Sequence, residues 1–214
     1  MSNIVVFGGS GFAGGQIAAE AARRGHQVTS VSRTLPSDRI DGVAYRAGSI
    51  HDAGLVADLG GTADVVVVAL PAREVDGKRL IEALPALTAA VAGRPARLGF
   101  VGGAGSSLVA EGGPRAMDTP EFPAAYLPEA QGHADILEAL RSNDSSVNWF
   151  VLSPAGLFGA HAGVAATGAY RTGDDLMVVK QDGSSEIAGE DYALAFVDEI
   201  DRPAHQGARF TVGH

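Results

Sequence analysis

The chain has 214 residues, 46% of them hydrophobic, no cysteine, and a formal net charge of −9. That length and apolar content suit one domain with a full core, and the missing thiols exclude disulfides, thiolate metal sites and a cysteine nucleophile. The acidic balance, with no Lys/Arg run to reverse it, argues against nucleic acid or an anionic membrane as partner. No apolar stretch reaches the length of about 18 residues that a membrane span needs. No basic region and apolar signal core precede Asn3, so the expectation is a soluble cytoplasmic protein, a monomer or small homo-oligomer.

In chain order, Ile4–Phe7 is a predicted strand, Phe12–Arg24 a helix closed by Gly25, Val28–Ser32 a second strand and Val43–Ala47 a weaker third. Asp64–Leu70 contains a run of valines and is apolar on both faces, as a central parallel strand must be. Asp76–Val91 is expected as a helix that Pro85 bends or breaks. Arg97–Val101 is a fifth strand, Pro128–Arg141 a helix, and Val147–Leu152 a sixth strand stopped by Pro154. Farther on, Leu176–Lys180 and Ser184–Ile187 flank Asp182-Gly183 as a hairpin, Asp191–Ile200 is a final helix, and Phe210–Val212 is an edge strand. This alternation predicts an α/β fold, a doubly wound and mainly parallel sheet with helices on both faces. The expected organisation is one domain over 1–214, with a core over 1–153 and a small C-terminal lobe over 154–214 on the substrate side.

The segment VVFGGSGFAG runs from the first strand into the first helix. Gly8, Gly11 and Gly14 have the spacing of a Rossmann dinucleotide fingerprint: a tight turn, a close backbone approach to a pyrophosphate, and close helix packing. Ser10 and Phe12 complete the predicted loop, and the helix N-terminus offers free N–H groups and partial positive charge to phosphate. After the second strand stands Ser32-Arg33-Thr34, with no acidic residue for a ribose 2′-hydroxyl. Arg33 suits a 2′-phosphate, which favours NADPH over NADH. Gly48, Ala69-Leu70-Pro71, Gly102-Gly103 and Pro154-Ala155, at or near later strand ends, are the remaining expected cofactor contacts.

On these motifs the chain resembles the atypical short-chain dehydrogenase/reductase superfamily. The segments VGGAGSS, DTPEF and YLPEA, and Trp149 ahead of LSPA, make it most similar to the NAD(P)H–flavin reductase group, and also to biliverdin reductase B and NmrA-like proteins. The resemblance implies a Rossmann fold and hydride transfer from NADPH to a flavin or other planar acceptor, with flavin as substrate and not as a tightly bound cofactor. Standard superfamily members place a lysine four residues after a tyrosine, to lower the tyrosine pKa for proton transfer. Here Tyr45, Tyr126, Tyr170 and Tyr192 are followed at that spacing by Ser49, Ala130, Asp174 and Phe196. Carbonyl chemistry by the usual route is therefore disfavoured, while a reduced flavin can take its proton from water. A non-catalytic dinucleotide sensor of the NmrA-like type is the alternative. An epimerase or dehydratase would need a different acid.

No catalytic residue is assigned. Ser106, Tyr126 and His133 are the candidates, each with a structural role open to it: loop capping for Ser106, ring packing for Tyr126, a partly exposed helix position for His133. Glu190-Asp191 is expected to serve the dipole of the helix it opens. In the loop before Tyr126, Met117, Phe122 and Tyr126 are expected to line the small-molecule acceptor site. The histidines and carboxylates show no metal-ligand spacing.

Overall fold

The structure, a computed structural model, describes residues 1–142 and 147–214. Eight strands form one sheet: β1 (Asn3–Phe7), β2 (Gln27–Ser32), β3 (Val43–Ala47), β4 (Val65–Val68), β5 (Arg97–Val101), β6 (Asn148–Ser153), β7 (Arg171–Gly173) and β8 (Ala208–Gly213). Their spatial order is β3-β2-β1-β4-β5-β6-β8-β7, parallel except where β7 runs antiparallel to β8. The helices are α1 (Phe12–Arg23), α2 (Ala53–Gly60), α3 (Leu84–Val91), α4 (Leu127–Ser142) and α5 (Gly189–Asp201). None is long and apolar enough, among the described residues, to cross a membrane.

The period of two along each strand sorts the core into two layers. Ile4, Val6, Val65 and Val67 face α1 and α5, where they meet Ile17, Ala21, Tyr192 and Phe196. Val5, Phe7, Val66 and Val68 face α2, α3 and α4, where they meet Leu55, Leu84, Leu87 and Leu137. Both faces of β4 are thus covered, which is why its four valines are all buried. The chain leaves β1 for β2 and β3 on one side and returns to β4, β5 and β6 on the other. The crevice at the carboxyl ends of β1 and β4 is therefore the switch point at which open α/β sheets bind ligands.

Several elements depart from their sequence expectation. The helix expected over 76–91 does not begin at Asp76: residues 75–78 form a bridged turn, with Asp76 and Gly77 at positive φ. A 3-10 turn over Leu80–Ala83 leads into α3, whose first turn holds Pro85. Proline lacks an N–H that is unpaired there in any case, so it starts this helix instead of breaking it. The Asp182-Gly183 turn forms, closed by Lys180 N–H on Ser184 O at 2.7 Å, but its arms are not paired strands. One arm bridges to Leu108 and the other to Leu157, so the loops after β5 and β6 take the backbone bonds that a hairpin would have used. Phe210–Val212 lies in β8, inside the sheet between β6 and β7, and not at its edge. The true edge, β7, is too short and polar to announce itself. Helix α2 is likewise absent from the sequence expectation, although Asp52 caps it through Gly54 and Leu55 N–H at 3.0 and 3.1 Å.

Candidate functional site

The glycine loop is shaped by steric need at two positions. Gly8 has φ +89, and a Cβ there would stand 2.2 Å from the Ala69 carbonyl oxygen. A Cβ on Gly14 would stand 2.2 Å from the Gly8 carbonyl oxygen, so α1 can approach the loop only without a side chain. Gly11 differs. Its φ is −83, and a Cβ there would meet only Gly8 O, at 3.3 Å, so a side chain would point into open space above the loop. Gly11 is also the N-cap of α1, with no side-chain cap and no acidic residue in the first turn. That is a helix N-terminus left free for an anion, and it fits a dinucleotide pyrophosphate.

Beside this loop lies a cavity of about 370 Å³ lined by Gly8, Ser10, Gly11, Ser32, Arg33 and Gly48, with Ala69, Leu70 and Pro71 on its inner wall. Ser32 Oγ donates to Thr34 O at 2.8 Å and so shapes the turn that carries Arg33. The Arg33 guanidinium is exposed and pairs with the equally exposed Asp76, at the positive-φ turn after β4. The same cavity gathers His51, Arg73 and Lys78, which sequence reasoning did not single out. Burial, then the nearby Lys78 charge, lowers the His51 pKa from its ordinary value. A cationic rim in a chain of net charge −9 suits a phosphate-rich ligand. Phe12 does not line this cavity: its ring packs edge-on against Phe158, centroids 5.3 Å apart, and against Gly189. Gly14 also acts through packing alone.

Ala69–Pro71 also border a second cavity of about 550 Å³, lined by Gly102, Gly103, Pro154, Ala155, Phe122 and Tyr126. Its approach to α4 depends on glycine. A Cβ on Gly103 would stand 2.9 Å from the His133 ring, and one on Gly105 2.6 Å from Ala130. Helix α4 consequently presents Glu129 and His133, one turn apart, to the cavity, with His133 Nε2 3.1 Å from Glu129 Oε1. Glu129 also accepts from Ala72 N–H at 3.0 Å and Arg73 N–H at 3.1 Å, tying the loop after β4 to α4. Burial pushes this carboxyl up, but the bonds from His133 and the two backbone donors outweigh it and hold it at about 2. The Glu-x-x-x-His spacing in YLPEAQGH was the legible signal for this pair.

Two further expected site residues lie elsewhere. Met117 is buried against Ala130, Ala134 and Phe122, because the turn at Ala116–Asp118 directs it into a small satellite core. Ser106 is buried, and its hydroxyl donates to Gly103 O at 3.2 Å, closing its own turn. Beneath it the buried Arg209 donates to Ser107 Oγ at 3.0 Å and pairs with Asp175. Glu190 and Asp191 stand in the first turn of α5, as expected, and Asp191 is in addition a buried clamp: it accepts from Thr167 and Gly168 N–H at 2.7 and 2.9 Å and meets His214 at 2.7 Å. Of the tyrosines, Tyr45, Tyr170 and Tyr192 hydroxyls are engaged with Ile40 N–H, Asp198 and Leu152 O, which leaves Tyr126, 55% exposed, at the second cavity. The two lysines are far from that role: Lys78 lines the first cavity and Lys180 pairs with Glu186.

Comparison with known proteins agrees with this geometry. Residues 8–203 match the NAD(P)H-binding family model. The uncharacterized protein YwnB of Bacillus subtilis (strain 168) is 39% identical over 211 residues, covering 98% of this chain and 97% of that one. The crystal structure of a proposed NADH-flavin reductase from Streptococcus pneumoniae TIGR4 superposes with a TM-score of 0.89 at 30% identity, covering 100% of both chains. A proposed epimerase from Bacteroides thetaiotaomicron superposes with a TM-score of 0.84 at 33% identity, covering 99% of this chain and 96% of that one. With the fingerprint loop, the switch-point crevice and a match across most of its length, the chain belongs to the NAD(P)H-binding family of Rossmann-fold proteins.

Proposed function

We propose that this protein is an NADPH-dependent reductase of a planar acceptor, flavin-like in shape, that binds and leaves as a substrate. The observation that carries the reading is the pair of cavities sharing the wall Ala69–Pro71, one basic and one largely apolar, with no tyrosine–lysine pair at their junction. The glycine loop and the free N-terminus of α1 would hold the pyrophosphate, and Arg33, with Lys78 on the same rim, would meet the 2′-phosphate. Exposed ion pairs such as Arg33–Asp76 are worth about 0–1 kcal/mol, whereas a charge-assisted bond to phosphate contributes about 1.5–3 kcal/mol. The phosphate therefore displaces Asp76 and not the reverse.

When bound, the dihydronicotinamide would supply a hydride, two electrons and one hydrogen, to the acceptor, which takes one further proton to complete the reduction. The chain's part is to stack the acceptor between Phe122, Tyr126 and the Pro154 turn and to keep bulk water from the junction. Water at the open rim would supply that one proton, and His133, held by Glu129 at 3.1 Å, would relay it.

The test is NADPH oxidation by purified protein with free flavins and quinones. Turnover is expected, and Tyr126→Phe should retain most of it. Loss of a phenolic proton donor would instead cost about 10²–10⁴-fold, and such a loss with unchanged NADPH affinity would reject this protonation route. Tight NADPH binding without oxidation by any acceptor would favour the sensor role.

A further inference from the structure

The two cavities differ sharply in charge. The first carries Arg33, Arg73, Lys78 and His51. The second, among the described residues, has no lysine or arginine in its lining; its ionisable groups are Glu129, Tyr126, His133 and His161. We infer that the acceptor pocket selects an uncharged planar molecule, such as an unphosphorylated flavin or a quinone, over an anionic one such as a flavin mononucleotide. This rests on the reductase reading for its chemistry but only on the lining for its selectivity.

The nearest cations lie outside the lining, and each is paired with a carboxylate. Arg209 lies beneath the floor, 2% exposed at the side chain, and pairs with Asp175. Arg73 faces the first cavity, with its guanidinium 3.7 Å from Glu129. Arg115, on the loop that carries Ala116, is held by Asp118 at 2.7 Å. The one carboxylate in the lining is Glu129, held well below its ordinary value, with Arg73 as its partner on the side of the first cavity. The chain as a whole adds its net −9 to the same sign of field. The remaining polar groups are donors suited to ring carbonyl oxygens: the Tyr126 hydroxyl and the His161 imidazole. Leu157, 41% exposed, adds an apolar group to the same lining. A dianion about 10 Å from one carboxylate in water meets a repulsion worth a few-fold in affinity, screened away as salt shortens the Debye length.

Riboflavin and its 5′-phosphate share one redox ring and differ only in the phosphate, so they separate charge from chemistry. Two readouts are needed: quenching of flavin fluorescence on titration with protein, with and without NADP⁺, and kcat/KM for flavin with NADPH in excess. At low ionic strength riboflavin should be favoured about 3–10-fold in both. The ratio should fall toward one in about 0.5 M salt, and again at low salt in Leu157→Lys, which sets a cation on the rim. Equal or better binding and turnover of the phosphate at low salt would overturn the inference. So would a riboflavin preference that neither salt nor Leu157→Lys changes, since that would be steric. Riboflavin-selective binding without turnover would reject the reductase reading and leave the selectivity standing. Fast turnover of both flavins alike would do the opposite. Absence of binding by both flavins and by a neutral naphthoquinone would reject both.

Discussion

At Gly11 and Arg33 a single substitution should change what the cleft accepts. A Cβ at Gly11 meets only Gly8 O at 3.3 Å and the backbone φ is −83, so valine there leaves the loop in place. Its methyl groups would occupy the space above the free N-terminus of α1. Gly11→Val is expected to keep the unfolding midpoint near that of the parent while calorimetry detects no NADPH binding. Undiminished affinity would remove the pyrophosphate from this loop. At Arg33 the expectation is quantitative. Arg33→Ala should weaken NADPH binding by about 1.5–3 kcal/mol and NADH binding much less; equal losses would mean that Arg33 does not meet the 2′-phosphate.

Among elements, α5 is fastened to the sheet by ionic contacts as well as by its apolar stripe. Tyr192, Phe196 and Ile200 are buried against β6 and β8, and Tyr192 donates to Leu152 O at 2.7 Å. At the far end Glu199 and Arg97, both nearly fully buried, meet at 2.6 Å. Glu199 also takes Ala204 and His205 N–H, and His205 stacks on Phe210 with centroids 3.8 Å apart. Removing one partner of such a pair strands the other charge in a low-dielectric interior, which costs about 3–5 kcal/mol. Glu199→Ala should therefore lower the unfolding free energy measured in urea by that amount. Because this contact lies at the opposite ends of the strands from the glycine loop, NADPH affinity measured on folded protein should be unchanged. A small stability loss would show that Arg97 finds sufficient partners in the backbone carbonyls it already reaches.

Across the molecule, the carboxyls that join distant segments share one electrostatic state. Burial raises the pKa values of Glu129, Asp175, Asp191 and Glu199, but their hydrogen-bond and cationic partners lower them further, so each ends below its ordinary value. A folded pKa below the unfolded one stabilises the fold above the unfolded value, and that contribution disappears as pH falls through the folded value. For Glu129 the window runs from 4.5 down to about 2. The Glu129 contribution should be constant near neutral pH and decline within that window. Glu129→Gln should be less stable at neutral pH and show a shallower acid decline; an unchanged decline would place the titration on the other carboxyls.

Local pattern alone revealed much of this protein. Short apolar runs and the turn glycines located β1, β2, β4 and β5, and the loop from Gly8 to Gly14 declared a dinucleotide site, because apolar runs and helix starts are properties of adjacent residues. Arg33 and Tyr126 were legible for the same reason, standing at strand and helix ends. Nothing local announces that Lys78 and His51 join Arg33 on one rim, that Glu129 reaches back to the loop at Ala72, or that Asp191 waits for His214. Those contacts join residues far apart in the chain and exist only once the parallel crossovers have set the helices against the sheet. The same holds for β8: its residues read as an edge, yet β7 covers it with a short antiparallel strand. Pro85 is the plainest case, since whether a proline ends a helix or begins one depends on where the preceding turn has already placed the backbone.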